Sequence, residues 1–428
     1  MFQNKQMKDS GIAWVGEIPR DWEMRRTKYC FESTKEIAGI RADDYERLAL
    51  TMNGVIKRSK DDNTGLQPEK FETYQILRPN ELVFKLIDLQ NVSTSRVGLS
   101  SYLGLVSPAY IILKSSNGKV LPRFSEKYFL MLWKNQIFNA LGDAGVRSSL
   151  NITDLLEIPL VFPPIDEQQR IADFLDKECA KINELKAEIQ AQIDALEQYK
   201  RSVITETVTH GINPDVPMKD SSVWFGKIPN TWTIAKGKYV FTQRNNRGNN
   251  IALQLLSPTQ KYGVIPQEMY EELSGMNAVK LNDSTNYALL KTIHKGDYCI
   301  SLRSFQGGFE YSEYEGVVSP AYQVFYPIVD VDRGYYKYLF KEKGFIEVMN
   351  SYTMSLRDGK NIAFDDFGNT FIPVPPIAEQ KEIAEYLDAK CAEIEQAIVD
   401  KKAQLDIFDE YKKSLIYEYV TGKKEVVA

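Results

Sequence analysis

Pro163-Pro164-Ile165-Asp166-Glu167-Gln168 opens one stretch of this chain, and Pro375-Pro376-Ile377-Ala378-Glu379-Gln380 opens another 212 residues later. A proline pair suits the start of a helix and cannot sit inside one. Behind the first pair, apolar residues fall at Ile171, Leu175, Ile182, Leu185, Ile189, Leu196, Tyr199 and Val203. Behind the second they fall at Ile383, Leu387, Ile394, Ile398, Leu405, Phe408, Tyr411 and Leu415. Spacings of three, four and seven, with Glu, Lys, Asp and Gln on the other faces, predict two long helices, each with a narrow coiled-coil-like seam. The 38 residues from Glu167 to Ile204 would form a rod of about 57 Å at 1.5 Å per residue. Neither rod can bury its seam alone. The simplest partner is the sister rod, because so narrow a seam is poorly suited to covering a sheet. The expected seam residues are Ile171, Leu175, Ile182, Leu185, Ile189 and Leu196 on one helix, and Ile383, Leu387, Ile394, Ile398, Leu405 and Phe408 on the other.

Outward from the helices, the whole chain is written twice. Trp14-Val15-Gly16-Glu17-Ile18-Pro19, then Trp22, recurs as Trp224-Phe225-Gly226-Lys227-Ile228-Pro229, then Trp232. Met7-Lys8-Asp9-Ser10 recurs as Met218-Lys219-Asp220-Ser221, and Val106-Ser107-Pro108-Ala109-Tyr110 as Val318-Ser319-Pro320-Ala321-Tyr322. Tyr199-Lys200-Arg201-Ser202 returns as Tyr411-Lys412-Lys413-Ser414. A period this long is a domain with something attached, not a solenoid unit. The boundaries follow: a module over 1–162, a helix over 163–212, a second module over 213–374 and a second helix over 375–428. Within the modules, short apolar and aromatic runs such as Tyr45 to Thr51, Leu82 to Ile87, Tyr110 to Leu113, Tyr298 to Leu302 and Tyr322 to Phe325 read as strands. Arg123 to Leu141 and Arg333 to Met349 read as helices. The fold class is mixed α and β, an α+β module repeated about a pseudo-twofold. Because Gly211 leads into Met218-Lys219-Asp220-Ser221 as Gly422 would lead into Met7-Lys8-Asp9-Ser10, the chain end is expected beside its beginning.

Composition narrows the chemistry. The 428 residues are 43% hydrophobic and 26% charged, as in ordinary folded proteins. No apolar run approaches the 18 or so residues of a membrane span, and the polar N-terminus carries no apolar leader, so a cytoplasmic protein is expected. Cysteines at 30, 179, 299 and 391 have neither CxxC spacing nor the density of a disulfide scaffold. With two histidines, histidine bases and histidine metal sites have almost no candidates, and no metal is expected. The overall charge is −5, with 53 basic and 58 acidic residues. The acid is concentrated: residues 163–210 net −4 and 375–422 net −5, which leaves the other 332 residues at +4. Mildly basic modules are compatible with phosphate contacts, although solvated loop charges explain any single lysine or arginine as well.

The repeated Trp-x-Gly-x-Ile-Pro entry, the Pro-Pro-Ile-x-Glu-Gln-x-x-Ile helix start and the Tyr-Lys-x-Ser helix end closely resemble the specificity subunit of type I restriction-modification systems, from about Trp14 to Thr421. The resemblance implies two target-recognition domains, each followed by a conserved helix, with the helices packed antiparallel as a spacer. It implies that each domain reads one half of a bipartite site in double-stranded DNA. The helices would recruit methylase subunits and, through them, restriction subunits. S-adenosylmethionine and ATP would then bind partner subunits and not this chain. The residues agree: there is no G-x-x-x-x-G-K-[ST] loop, no Gly-rich cofactor loop after a strand, and no Asn or Asp followed by Pro-Pro-aromatic. No catalytic residue is assigned. A stand-alone restriction or modification enzyme, or a helical scaffold that binds protein alone, are the competing readings.

Base edges are read by Arg or Lys toward guanine and by Asn or Gln toward adenine, so loops rich in those types are the candidates. One set is Gln90, Asn91 and Arg96, with Arg303 and Gln306 as its counterpart in the second module. A second is Arg147 and Ser148 against Arg357 and Lys360. A third is Lys57 and Arg58 against Lys261 and Tyr262, and Arg244 lies near a predicted turn. Arg147 and Arg357, retained in both copies, fit a phosphate anchor or structural residue better than a base reader.

Overall fold

A computed structural model describes residues 6–62, 70–90, 94–116, 118–142, 149–247, 253–276, 287–300, 308–352 and 362–426. Asn91, Arg147, Ser148, Arg303, Gln306, Arg357 and Lys360 lie outside them. The chain divides into two compact units, Met1–Ile189 with Ala403–Ala428, and Gln190–Lys402. Each long helix therefore serves both units, its first half in one and its second half in the other. Among the described residues no helix is long and apolar enough to cross a membrane.

In the first unit, Met7–Asp9 pairs antiparallel with Glu17–Pro19 around Gly16, whose φ of 68° favours glycine. A four-stranded antiparallel sheet follows in the order Phe31–Thr34, Ile111–Ser115, Leu82–Phe84, Val97–Leu99. A second sheet runs Gly54–Arg58, Arg47–Thr51, Gly104–Val106, Gln75–Leu77, with its central pair parallel at Leu105 and Arg47. Helix Pro122–Lys134 covers the first sheet, burying Phe124, Tyr128 and Phe129; Phe129 meets Phe84 edge to face at 5.0 Å. Pro159–Phe162 pairs with Glu23–Arg26 and delivers the chain to the first long helix, Ile165–His210.

The second unit repeats this plan. Met218–Asp220 pairs with Lys227–Pro229, and Thr233–Lys236 with Phe371–Val374. Its main sheet is Phe241–Arg244, Gln323–Pro327, Tyr298–Ile300, Phe309–Tyr311. The counterpart of the second sheet is split into the pairs Leu256–Thr259 with Gly263–Pro266 and Lys291–Ile293 with Gly316–Val318. The second long helix is Ile377–Val420.

The two shorter helices expected as single runs are each broken. Gln136 takes a left-handed φ of 59°, separating Pro122–Lys134 from Ile137–Leu141. In the second unit Glu342 accepts a hydrogen bond from the Phe345 N–H at 2.7 Å and so caps a new helix, Lys343–Ser351, after Arg333–Leu339. The apolar periodicity runs through both breaks because Phe138, Phe340 and Phe345 still face the core.

The long helices pair antiparallel inside each unit. In the first, Lys412 Nζ donates to Asn183 at 2.7 Å and Lys186 Nζ to Asp409 at 2.5 Å, numbers rising on one helix as they fall on the other. In the second, Lys401 Nζ donates to Gln192 at 2.6 Å, and Lys200 pairs with Glu395. The seam departs from expectation in two ways. Leu185 is 44% exposed while Ile193, passed over above, is buried. Buried isoleucines recur at 171, 182 and 193, and at 383 and 394 with Ile416 beyond. Steps of eleven residues keep one face of a nearly straight helix, whereas sevens drift. Moreover Ile171 and Leu175 belong to the same buried cluster as Trp22, Phe124 and Leu160, so the outer part of the seam covers its own module. Ile189, Leu196, Leu405 and Phe408 are half-buried.

Candidate nucleic-acid interface

The repeated motifs build the frame that holds any reading surface. Gln168, wholly buried, accepts from the Leu121 N–H at 2.8 Å and donates to Pro163 O at 2.8 Å and Lys119 O at 3.1 Å. Gln380 does the same work in the other unit, accepting from the Asp332 N–H at 2.8 Å and donating to Pro375 O at 2.8 Å. Each glutamine ties the helix start to the chain that enters the neighbouring helix. Trp22 Nε1 donates to Glu167 at 2.8 Å, so the entry tryptophan and the helix-start glutamate are one contact. On the long helix, Asp176 receives Lys127 at 2.7 Å and Arg123 at 2.5 Å. Burial opposes the Asp176 carboxylate, but the two cations hold it below its ordinary range. Its counterpart Asp388 takes Lys337 at 3.2 Å and Tyr338 at 2.6 Å. None of these roles was assigned from the sequence, although the repetition of Glu-Gln after Pro-Pro was the available signal.

In the first unit Lys57 and Arg58 are engaged with acids. Lys57 on strand Gly54–Arg58 pairs with Glu46 at 2.6 Å and lies 5.5 Å from the Tyr102 ring centre; the Glu46 hydrogen bond pushes its ammonium up. Arg58 pairs with Asp62 at 2.7 Å. Exposed Tyr102 stands beside the same lysine, which gives a mixed aromatic and cationic surface. Gln90 is exposed at a loop end. Arg96 is not a surface group: it is fully buried and donates to Asp88 O at 2.5 Å, bracing the loop that carries Gln90. Burial lowers its guanidinium pKa.

In the second unit Arg244 holds Asp297 through two bonds, 2.6 and 3.2 Å, and its guanidinium sits 4.2 Å over the Tyr326 ring. That geometry suits a bracing residue. Lys261 and Tyr262 form the turn between Leu256–Thr259 and Gly263–Pro266, where Gly263 has φ of 72°. Both border a cavity of about 600 Å³ that the first long helix also lines through Lys200 and Ile204.

Burial raises the thiols of Cys30, Cys179 and Cys391, and that of Cys299 far more, which keeps them protonated and unreactive. Among the described residues no group of His, Cys, Asp and Glu could hold a metal ion. What the described surface offers is exposed polar and cationic side chains such as Lys57, Gln90 and Lys261, carried on a braced scaffold.

Comparison with known proteins agrees with this arrangement. The chain is 24% identical over 438 residues to a type I restriction enzyme MjaX specificity subunit of Methanocaldococcus jannaschii, covering 96% of each chain. It is 24% identical over 339 residues to the type I restriction enzyme MjaVIII specificity subunit of the same organism, covering 76% of this chain and 75% of that one. A solved chain from work on complex assembly and conformational transition of the type I R-M system superposes with a TM-score of 0.66, covering 95% of this chain and 99% of that one. At 12% identity this last likeness speaks for the fold. The family model described as type I restriction modification DNA specificity domain matches residues 19–195 and again 226–402. Matched twice over most of its length, the chain belongs to the type I restriction modification DNA specificity family and carries two copies of its domain.

Proposed function

We propose that this chain is the sequence-reading subunit of a type I restriction-modification complex, non-catalytic itself, in which each unit reads one half of an asymmetric two-part site in double-stranded DNA. The observation that carries this reading is the pairing of a repeated frame with unlike candidate surfaces. The Gln168 and Gln380 clamps are the same device twice, whereas Lys57, paired with Glu46 on a strand, and Lys261, on a turn over the Tyr262 ring, are not. Two different surfaces on one repeated frame suit two different half-sites. The specificity names of the Methanocaldococcus relatives support the same reading.

The long helices would recruit methylase subunits through the acidic faces left after the seam is buried, and restriction subunits would follow through the methylase. S-adenosylmethionine and ATP would belong to those partners, and the complex would act in the cytoplasm. DNA contacts are proposed for Lys57, Arg58, Gln90, Lys261 and Tyr262 among the described candidates and, outside the described residues, for Asn91, Ser148, Arg303, Gln306 and Lys360, with Arg147 and Arg357 as phosphate anchors. Purified chain mixed with DNA and labelled S-adenosylmethionine is expected to transfer no methyl groups until the methylase is added. Transfer by the chain alone would contradict the reading.

A further inference from the structure

Glu310, on strand Phe309–Tyr311 of the second unit, is 1% exposed and lines the 600 Å³ cavity. Its Oε1 accepts from Lys341 Nζ at 2.7 Å, while its Oε2 accepts no hydrogen bond among the described residues. Two other carboxylates on the lining are already engaged, Asp388 with Tyr338 and Lys337 and Glu395 with Lys200. A buried acceptor with no donor calls for an explanation, a bound ligand being one.

The repeat shows that the frame does not require this carboxylate. Glu310 pairs with Cys299, which pairs onward with Val324. In the first unit Gly98 pairs with Val83, which pairs onward with Ile112. Gly98 is thus the counterpart of Glu310, and a side chain there would meet Leu50 Cδ1 at 2.7 Å. One unit packs this position shut; the other places an acid on a cavity whose volume falls within the roughly 300–1,000 Å³ of small-molecule sites. Tyr262, Tyr311, Tyr314 and Tyr338 supply aromatic lining, and tyrosine rings with a carboxylate are the side chains that take up organic cations.

We propose that the second unit binds a small organic ammonium ion in this cavity, its N–H donating to Glu310 Oε2 and its apolar body resting among the tyrosines. Lys341 stays on Oε1, so the ligand completes the carboxylate without breaking that pair. The site goes beyond DNA reading and its test needs neither DNA nor methylase, so the two readings stand or fall separately.

The test is a thermal-shift titration of the full chain with benzylamine, an ammonium ion at neutral pH, and with benzyl alcohol, its uncharged analogue. The melting midpoint should rise saturably with benzylamine, with apparent affinity at least tenfold above that for benzyl alcohol. Glu310→Gln, close in shape, should lose tenfold or more of the benzylamine affinity. Leu273→Trp, which fills the cavity edge without touching the carboxylate, should block the response even if the first variant folds poorly. Calorimetry at pH 7 in buffers of different ionisation heat adds an independent readout. Burial raises the Glu310 carboxyl to about 7 against the pull of Lys341, with the buried Cys299 thiol beside it, and ammonium pairing favours the anion, so binding should release protons. No shift with benzylamine, an equal shift with benzyl alcohol, or an unchanged response in either variant would overturn the proposal.

Discussion

Single buried polar side chains carry much of this frame. Gln168 satisfies one N–H and two carbonyls, and stranding a buried polar group costs about 1–3 kcal/mol. Gln168→Ala should therefore lower the urea midpoint, by several kcal/mol in total, and Gln380→Ala should do the same in the other unit; a change under ~0.5 kcal/mol would contradict the clamp. Glu310 makes a pH prediction. Burial raises its carboxyl from 4.5 to about 7, so between those values the folded chain holds a proton the unfolded chain has released. Stability from this group is present below 4.5 and is lost as pH rises toward 7, a slope worth a few kcal/mol at about 1.4 kcal/mol per unit. Denaturation midpoints measured from pH 4.5 to 7.5 should show that slope flattened in Glu310→Gln.

At the scale of elements, the antiparallel helices hold by apolar stripes, not by their ion pairs. Lys186–Asp409 has a carboxylate 58% exposed, and such pairs are worth about 0–1 kcal/mol. Ile193→Asp or Ile394→Asp puts an unpaired charge on the buried stripe and should cost about 3–5 kcal/mol, read as loss of cooperative melting. Glu184 and Glu188 are exposed; reversing both to Lys should weaken methylase capture in a pull-down with circular dichroism unchanged. Glu395 is a poorer probe, since it pairs with Lys200 and its reversal would test the helix pair as well. The helices were legible in the sequence because proline pairs mark their starts and apolar periodicity runs on for about nine turns. Leu185 was misjudged as buried because an eleven-residue repeat reads locally like sevens and fours. The break at Gln136 was invisible because apolar spacing continues across it, and the sheet order because strand partners come from distant sequence.

For the whole molecule, the chain end completes the beginning. Lys423 Nζ donates to Val15 O at 2.8 Å, and Gly422, with φ of 71°, lies against Pro19 and Trp22. Leu415, Ile416 and Val420 fill the first unit's core. A fragment ending at Gly211 lacks them but carries their counterparts Val203, Ile204 and Val208. It should form a twofold dimer in sedimentation, each copy lending its helix end to the other; a stable monomer would contradict the pairing. The candidate contacts were the least legible part: Arg96 is buried on the Asp88 carbonyl and Arg244 holds Asp297, and a sequence does not say which arginines meet an acid or a carbonyl. The central claim, two unlike readers on one repeated frame, is tested most directly by mapping methylated bases in DNA from cells that express this chain with its methylase. The account predicts an asymmetric motif in two parts separated by a constant gap, absent when this chain is deleted. A contiguous or palindromic motif, or one unchanged by the deletion, would contradict it.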